Sequence, residues 1–379
     1  MSKNIIADVL LEIANGIESG SFMKKPKIGL TLLGSEHGIE NTLQAANLAK
    51  SLNYDIVLIG PKIETEFELV EVSNEEEAHS KMEELLDSKY IDACITMHYN
   101  FPVGVSTVGR VITPGVGKEM LLATTTGTSS TNRVESMVRN TIAGITVAKS
   151  LGIENPTVGI LNVDGAKQVE KALNNLRANG YNFEYTESAR SDGGAVLRGN
   201  DVLQGVPDVC VTDSLTGNIL MKMFSAFTTG GSYESLGYGY GPGIGEGYHR
   251  NILIISRASG APVIANAIKY AYDLLVGNIN KIREEEYKEV NSYCFDKVIE
   301  AINAKRPVED TTDVKAPPKE VVTGSIPGVD ILDLEDAVIA LWKNNIYAES
   351  GMGCTGPIVM ISEANVEKAT EILKEEDFL

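Results

Sequence analysis

The sequence predicts an α/β protein built on a mostly parallel sheet. Short runs rich in Val, Ile and Leu, such as 55–60 (DIVLIG), 91–98 (IDACITMH) and 251–256 (NILIIS), show little polar alternation. Strands of that kind are buried on both faces. Segments of helical periodicity separate these runs along most of the chain. The composition agrees: 43% hydrophobic, 22% charged, 6% aromatic, with 36 glycines in 379 residues. That balance suits an α/β core better than a β-sandwich or a coiled coil.

Taken in order, 27–34 reads as a strand, 38–52 as a helix and 55–60 as a strand. A helix over 75–88, a strand over 91–98 and a helix over 133–151 follow, then a strand at 157–163 and a helix at 165–179. Strands at 181–187 and 208–213, a helix at 215–227, a strand at 251–256 and a helix at 260–277 continue the pattern. At the N-terminus Ile5, Ile6, Val9, Leu10, Ile13 and Ile17 recur at helical spacing, which predicts an amphipathic helix over 1–25 that packs on the domain or on a partner.

Two stretches break the rhythm. Gly230 to Gly247 is dense in glycine and reads as irregular, either a long surface loop or a mobile lid over a cleft. Residues 305–328 hold four prolines and few apolar side chains, as a linker does. Beyond it, a helix near 334–345, the turn GMGCTGP (351–357), a strand at 358–362 and a helix at 364–375 form a small α+β module over 329–379. The α/β core, in two subdomains, is thus expected over 26–304.

Charge and cysteine usage narrow the function. The chain carries 33 Lys and Arg against 52 Asp and Glu, a net charge of −19. That argues against a nucleic-acid surface but leaves room for an anionic ligand held by a few arginines and helix N-termini. No run approaches the ~20 apolar residues of a membrane span, and the acidic N-terminus does not resemble a signal peptide. A cytoplasmic protein without membrane partners is expected. The four cysteines (Cys94, Cys210, Cys294, Cys354) are far apart and show no metal-ligand spacing, so no metal is expected.

In such folds ligands sit where strands end and helices begin. In DVCVTDSLTGNILMK (208–222), Asp213 ends a strand while Thr216, Gly217 and Asn218 open a helix. Those residues either cap the helix or leave its N–H groups to an anion. The junction at 251–271 places Ser256 and Arg257 between a strand and a helix, where Arg257 is either a surface ion pair or a bidentate partner for phosphate oxygens. His98 and Asn100 follow the strand at 91–98, Asn162 ends the strand at 157–163, and His37 sits in the first junction. The hydroxyls of ATTTGTSSTN (123–132) precede a helix as caps or oxyanion contacts. The glycine patterns of Rossmann and P-loop nucleotide sites are missing.

Cys94, Cys210 and Cys294 fall in strand or helix patterns and are expected to be buried and inert. Cys354 differs. Gly351, Gly353, Gly356 and Pro357 flank it in a turn, which either is only a tight turn or leaves the sulfur open as a nucleophile.

From about residue 91 to 272 the sequence resembles phosphate acyltransferases of phospholipid synthesis and, more distantly, phosphate acetyltransferases. The segments that carry the likeness are GRVITPG (109–115), GIENPTVGILNV (152–163), DVCVTDSLTGNILMK (208–222) and ISRASGAPVIANAI (255–268). The resemblance implies a two-domain fold related to isocitrate and isopropylmalate dehydrogenases, with an active site between domains that exchanges an acyl group between phosphate and a thiol carrier. It departs at Val263, where phosphate acetyltransferases carry an acidic residue that serves as base toward coenzyme A.

The N-terminal helix and the Cys354 module lie outside that pattern. They resemble the alpha subunits of component C of glycine, sarcosine and betaine reductase complexes, and this likeness spans the whole chain. It implies that Cys354 carries an acetyl group released from a carboxymethyl-selenoether on selenoprotein component A. It also implies a ketosynthase-like beta subunit as partner in a hetero-oligomer, with inorganic phosphate as co-substrate and no other cofactor. Phosphate held by Thr216, Gly217, Asn218, Ser256 and Arg257 would attack acetyl-Cys354 to give acetyl phosphate, with Asp213 and His98 as orienting groups or proton shuttles. A flexible linker of some 24 residues would reach about 25–30 Å, somewhat more with its prolines, and travel of Cys354 between a partner's site and the phosphate cleft is a hypothesis that this length raises. The competing readings are a coenzyme A-dependent phosphate acyltransferase in which Cys354 is incidental, and a non-catalytic scaffold for the beta subunit.

Overall fold

The structure is a computed structural model that describes residues 13–14, 25–189, 193–304, 314–331, 333–353, 356–376 and 378–379. Its first half comprises β1 (Lys27–Thr31), α1 (Gly38–Leu48), β2 (Asp55–Gly60), β3 (Glu68–Glu71), α2 (Glu75–Asp87), β4 (Ala93–Thr96), β5 (Val105–Ile112), β6 (Glu119–Thr128) and α3 (Arg133–Ser150). Next come β7 (Thr157–Leu161), α4 (Ala166–Ala178), β8 (Glu184–Tyr185), β9 (Val196–Leu197), α5 (Gly199–Gln204), β10 (Val209–Val211) and α6 (Ser214–Ala226). The core closes with β11 (Gly241–Ile244), β12 (Ile252–Ile254), α7 (Ala261–Val276), α8 (Ile279–Ser292) and α9 (Phe295–Asn303). The C-terminal part contains β13 (Gly324–Pro327), α10 (Leu334–Lys343), β14 (Ala348–Gly353), β15 (Gly356–Ile361) and α11 (Val366–Glu375).

One 12-stranded sheet runs β3-β2-β1-β4-β12-β11-β5-β6-β10-β7-β8, with β9 also on β7. Two parallel blocks, β3-β2-β1-β4-β12 and β6-β10-β7 with β8 and β9, flank the antiparallel pair β11 and β5. The strands are apolar because helices cover them: all four residues of β4 are buried, as are five of six in β2. The expected mostly parallel α/β fold is therefore present. Parallel strands that share a direction also bring their C-terminal junctions to one edge, which positions the site described below.

Several expectations change. The glycine-dense stretch 230–247 is neither wholly a loop nor a lid, because its residues 241–244 form β11, buried throughout and paired on both sides. Glycine is required there by close packing. A Cβ on Gly241, whose φ is +87°, would lie 1.7 Å from the Val108 carbonyl oxygen, and one on Gly243 would lie 2.4 Å from the Phe101 ring. The hairpin β5–β6 was not expected, and it converts residues 123–128 of the hydroxyl-rich segment from a helix lead-in into strand. Asn132 alone caps α3, its Oδ1 accepting from the Glu135 N–H at 3.1 Å. The strand expected at 181–187 shrinks to Glu184–Tyr185, and α8 and α9 add two helices.

The C-terminal strands form a separate sheet, β13-β15-β14, entirely antiparallel. They pack with α10 and α11 around their own core, including Ile326, Leu341, Val359 and Leu373. Residues 324–327 of the expected linker are thus strand, and the expected turn 351–357 is largely strand: β14 and β15 pair as far as Gly353 with Gly356. Cys354 lies outside the described residues, as do residues 305–313 and, apart from 13–14, the expected N-terminal helix. This C-terminal part touches the core at the start of α4. Gly165, the N-cap, has no side chain to satisfy the helix, and the buried Asp330 accepts its N–H at 3.1 Å while Gln168 donates to Asp333 at 3.0 Å. Among the described residues no helix is long and apolar enough to cross a membrane.

Gly241→Ala should destabilise the protein by about 3 kcal/mol, since the methyl group meets a backbone carbonyl and the φ is left-handed. Urea unfolding measures this; a change below about 0.5 kcal/mol would contradict the close-packing account of β11.

Candidate functional site

Strand ends from both parallel blocks open on one cleft of about 530 Å3. β4 delivers His98 and Asn100, β12 delivers Ser256 and Arg257, and α6 contributes Asn218 and Lys222. Thr126, Gly127 and Thr128 of β6, Glu36 beyond β1 and the side chains of Tyr99, Phe101 and Tyr240 also line it. Five of the residues singled out in the sequence are therefore gathered: His98, Asn100, Asn218, Ser256 and Arg257.

The turn that carries Ser256 and Arg257 is clamped from two sides. On one side stands Glu234, which is buried. Its carboxylate accepts from the Ser259 hydroxyl at 2.8 Å and from the Tyr240 hydroxyl at 3.0 Å. Ser259 Oγ in turn accepts the Ser256 N–H at 3.0 Å, and Ser256 Oγ accepts the Ala258 N–H at 3.1 Å. The Glu234 backbone pairs with the same turn, donating to Ala258 at 3.0 Å and accepting from Gly260 at 2.8 Å. Burial, reinforced by the Glu234 charge, pushes the Tyr240 hydroxyl up, which keeps it a donor. On the other side the first junction holds the backbone: Glu36 donates to the Arg257 carbonyl at 2.9 Å and Asn41 to the Ser259 carbonyl at 3.0 Å. His37 approaches the Ala258 carbonyl at 3.3 Å, so its part is to clamp this turn.

Cationic side chains in the cleft are accessible. Arg257 is half exposed, and one terminal nitrogen meets Glu75 at 3.0 Å. An exposed pair of this kind is weak and exchangeable. Lys222 is exposed, lies one turn beyond Asn218 on α6, and makes no ion pair among the described residues. Asn218 is fixed by donating from Nδ2 to the Thr125 carbonyl at 3.2 Å. Behind His98, burial lowers the pKa of His79, whose Nε2 lies 3.2 Å from Thr96 Oγ1.

Other expected residues have different surroundings. Asp213 is the N-cap of α6: its Oδ1 accepts from the Leu215 and Thr216 N–H groups at 3.1 Å each, and its Oδ2 from the Thr216 hydroxyl at 2.7 Å. The Gly217 N–H goes to the Asp213 carbonyl. The anion at this helix start is thus the protein's own carboxylate, and Gly217 is glycine because a Cβ would lie 1.7 Å from the Thr124 carbonyl oxygen. Thr216 and Gly217 accordingly have their polar groups committed within the helix start. Asn162 lines a separate cavity of about 640 Å3 between the core and the C-terminal part, with Lys167, Arg198, Val329 and Pro357. Arg133 spans the interval, 3.4 Å from Asp164 of that cavity and 3.9 Å from Asp213.

Cys94 and Cys210 are buried, and burial pushes the Cys210 thiol up to about 12. Cys294, expected to be buried, is exposed as the N-cap of α9. Val263 is fully buried and takes no part in the cleft wall. Among the described residues no cluster of three or more His, Cys, Asp or Glu is arranged to hold a metal ion. Sequence reasoning missed Lys222, Glu234 and Tyr240. The first was signalled by its one-turn spacing from Asn218, whereas the other two are hidden in the glycine-dense stretch.

A family model described as "Fatty acid synthesis protein" matches residues 26–360. The glycine/sarcosine/betaine reductase complex component C subunit alpha of Peptoclostridium acidaminophilum is 62% identical over 376 residues, 98% of each chain. A phosphate acyltransferase of Thermotoga neapolitana is 27% identical over 232 residues, 52% of this chain and 68% of that one. Among solved structures, a branched-chain phosphotransacylase from Enterococcus faecalis V583 gives a TM-score of 0.49 at 15% identity, over 66% of this chain and 99% of that one. The chain therefore belongs to the fatty acid synthesis protein family and, by identity over nearly its full length, to that of the component C alpha subunits.

Proposed function

We propose that this chain is the acyl-transfer subunit of a glycine, sarcosine or betaine reductase complex, and that inorganic phosphate cleaves an acetyl thioester on its Cys354 to acetyl phosphate. The observation that carries the proposal is the meeting of Ser256, Arg257, Asn218, Lys222 and His98 in one open cleft. Two cations and several neutral donors suit a divalent oxyanion. Support also comes from the named relative, a component of such a complex, and from the phosphate acyltransferase likeness.

Phosphate binds against Arg257, which exchanges the exposed Glu75 carboxylate for it, and against Lys222, with Ser256 and Asn218 supplying neutral hydrogen bonds. The helix start at α6 is already filled by Asp213, so the cations and not the helix dipole neutralise the anion. One phosphate oxygen attacks the acetyl carbonyl carbon. The new O–C bond forms while the carbonyl electrons move onto oxygen, and the same positive groups stabilise that tetrahedral anion. Collapse breaks the C–S bond, the Cys354 thiolate leaves, and the proton lost by phosphate passes to His98 and then to sulfur. Asp213 acts at one remove by fixing the start of the helix that bears Asn218 and Lys222. Asn100 borders the cleft, and Asn162 borders the seam at Pro357, three residues beyond Cys354. Acetyl transfer through a protein thiol also removes the need for a base at Val263. The beta subunit and a carboxymethyl-bearing selenoprotein are the partners this chemistry requires upstream.

Cys354→Ala should abolish arsenate-dependent hydrolysis of acetyl phosphate; undiminished turnover would refute the thioester and, if coenzyme A became acetylated, would favour the coenzyme A-dependent reading. Arg257→Ala should raise the phosphate KM about ten-fold or more at nearly constant enzyme stability, and an unaltered KM would remove Arg257 from the site. Glu234→Gln should raise the phosphate KM several-fold with a smaller effect on kcat, because it loosens the turn without deleting a ligand. Equal effects on both, scaling with lost thermal stability, would mark Glu234 as merely structural.

A further inference from the structure

One helix turns a row of large apolar side chains to solvent. Leu215, Ile219 and Met223 on α6 and Phe227 at its C-cap are each between 48% and 68% exposed. They recur every fourth residue and so form one ridge along about 18 Å of the helix. A surface helix normally turns its apolar side inward, and α6 does this too, with Met221 and Phe224 buried beneath it. A second apolar ridge on the outer side of the same helix marks a contact with another protein surface.

The sequence contains a matching ridge. Ile5, Val9, Ile13 and Ile17 also recur every fourth residue, with Ile6 and Leu10 beside them. Ile13 lies in helix and is 39% exposed, so the single chain leaves it uncovered just as it leaves the α6 ridge. Two ridges of this spacing interdigitate in the commonest class of helix packing. Their charges also agree. Residues 1–20 carry Asp8, Glu12 and Glu18 against Lys3, whereas residues 214–227 carry Lys222 and no acid. In a chain of net charge −19, a face free of carboxylates is one to which an acidic segment docks without repulsion. Two α6 helices set face to face would instead bring two Lys222 ammonium groups together.

We propose that the outer ridge of α6 receives the N-terminal segment of a second copy of this chain, and that a two-fold repeat of the exchange closes a homodimer. At about 100 Å2 per side chain, the two ridges brought together twice bury roughly 1,600 Å2, the size of a standard stable interface. Asn218 and Lys222 of the cleft lie on the same helix, so the contact runs beside the cleft. The inference does not rest on the acyl-transfer reading.

Sedimentation velocity of the full-length chain at micromolar concentration tests this, together with cross-linking from a photoreactive amino acid placed at position 223 in a mixture of isotopically light and heavy chains. A dimer is expected, with cross-links from position 223 of one chain to peptides within residues 1–24 of the other. Ile13→Asp and Ile219→Asp should each weaken dimerisation about ten-fold or more, with circular dichroism and Tm unchanged because both positions are exposed in the single chain. A monomeric wild type, or a dimer that survives both substitutions, would overturn the proposal. So would cross-links that are absent, confined to one chain or directed to other segments.

Discussion

The buried Glu234 carboxylate is the interaction on which the cleft depends. Among the described residues no cation pairs with it; two hydroxyls donate to it, while the Glu234 backbone pairs with the same turn. A carboxylate in that position cannot be left unsatisfied, so Tyr240 and Ser259 must stay where they are, and with them the Ser256–Arg257 turn. The constraint joins three distant parts of the chain: the glycine-dense stretch that supplies Glu234 and Tyr240, the end of β12, and the first junction through Glu36 and Asn41. Arg257 is thereby given a fixed root and a solvent-facing head.

The same division between fixed backbone and free charge recurs across the site. Asp213 occupies the N-terminus of α6 and locks the helix, leaving Asn218 and Lys222 to face outward a turn later. Asp330 does the equivalent for α4, and in doing so seats the C-terminal part against the core. In a chain with a net charge of −19 these carboxylates consume the helix N-termini that would otherwise draw anions. In the function proposed above, anion recognition is then left to a few exposed cations in one place.

Much of this was legible from local pattern. Buried strands such as β2 and β4 announce themselves as continuous aliphatic runs, and strand-to-helix junctions follow from the order of elements, so His98, Asn218, Ser256 and Arg257 could be proposed together. Where long-range packing decides, local pattern fails. β11 is written in glycines because Val108 and Phe101 press on it, and flexibility was the wrong inference from the same residues. The β5–β6 hairpin pairs across the middle of the sheet, where polar threonines bond one another, so its hydroxyls looked like helix caps. Thr216 and Gly217 illustrate the reverse: their types fit an anion site, but Asp213 three residues earlier satisfies the helix first. The full-length likeness to component C alpha subunits, by contrast, was carried by whole segments and holds.

Intact mass spectrometry of the chain after exposure to acetyl phosphate, followed by peptide mapping, bears most directly on the thioester chemistry. The expected result is one acetyl adduct, lost on treatment with hydroxylamine and mapped to the peptide that holds Cys354. A chain that stays unmodified, or an adduct that persists when Cys354 is replaced by alanine, would contradict it.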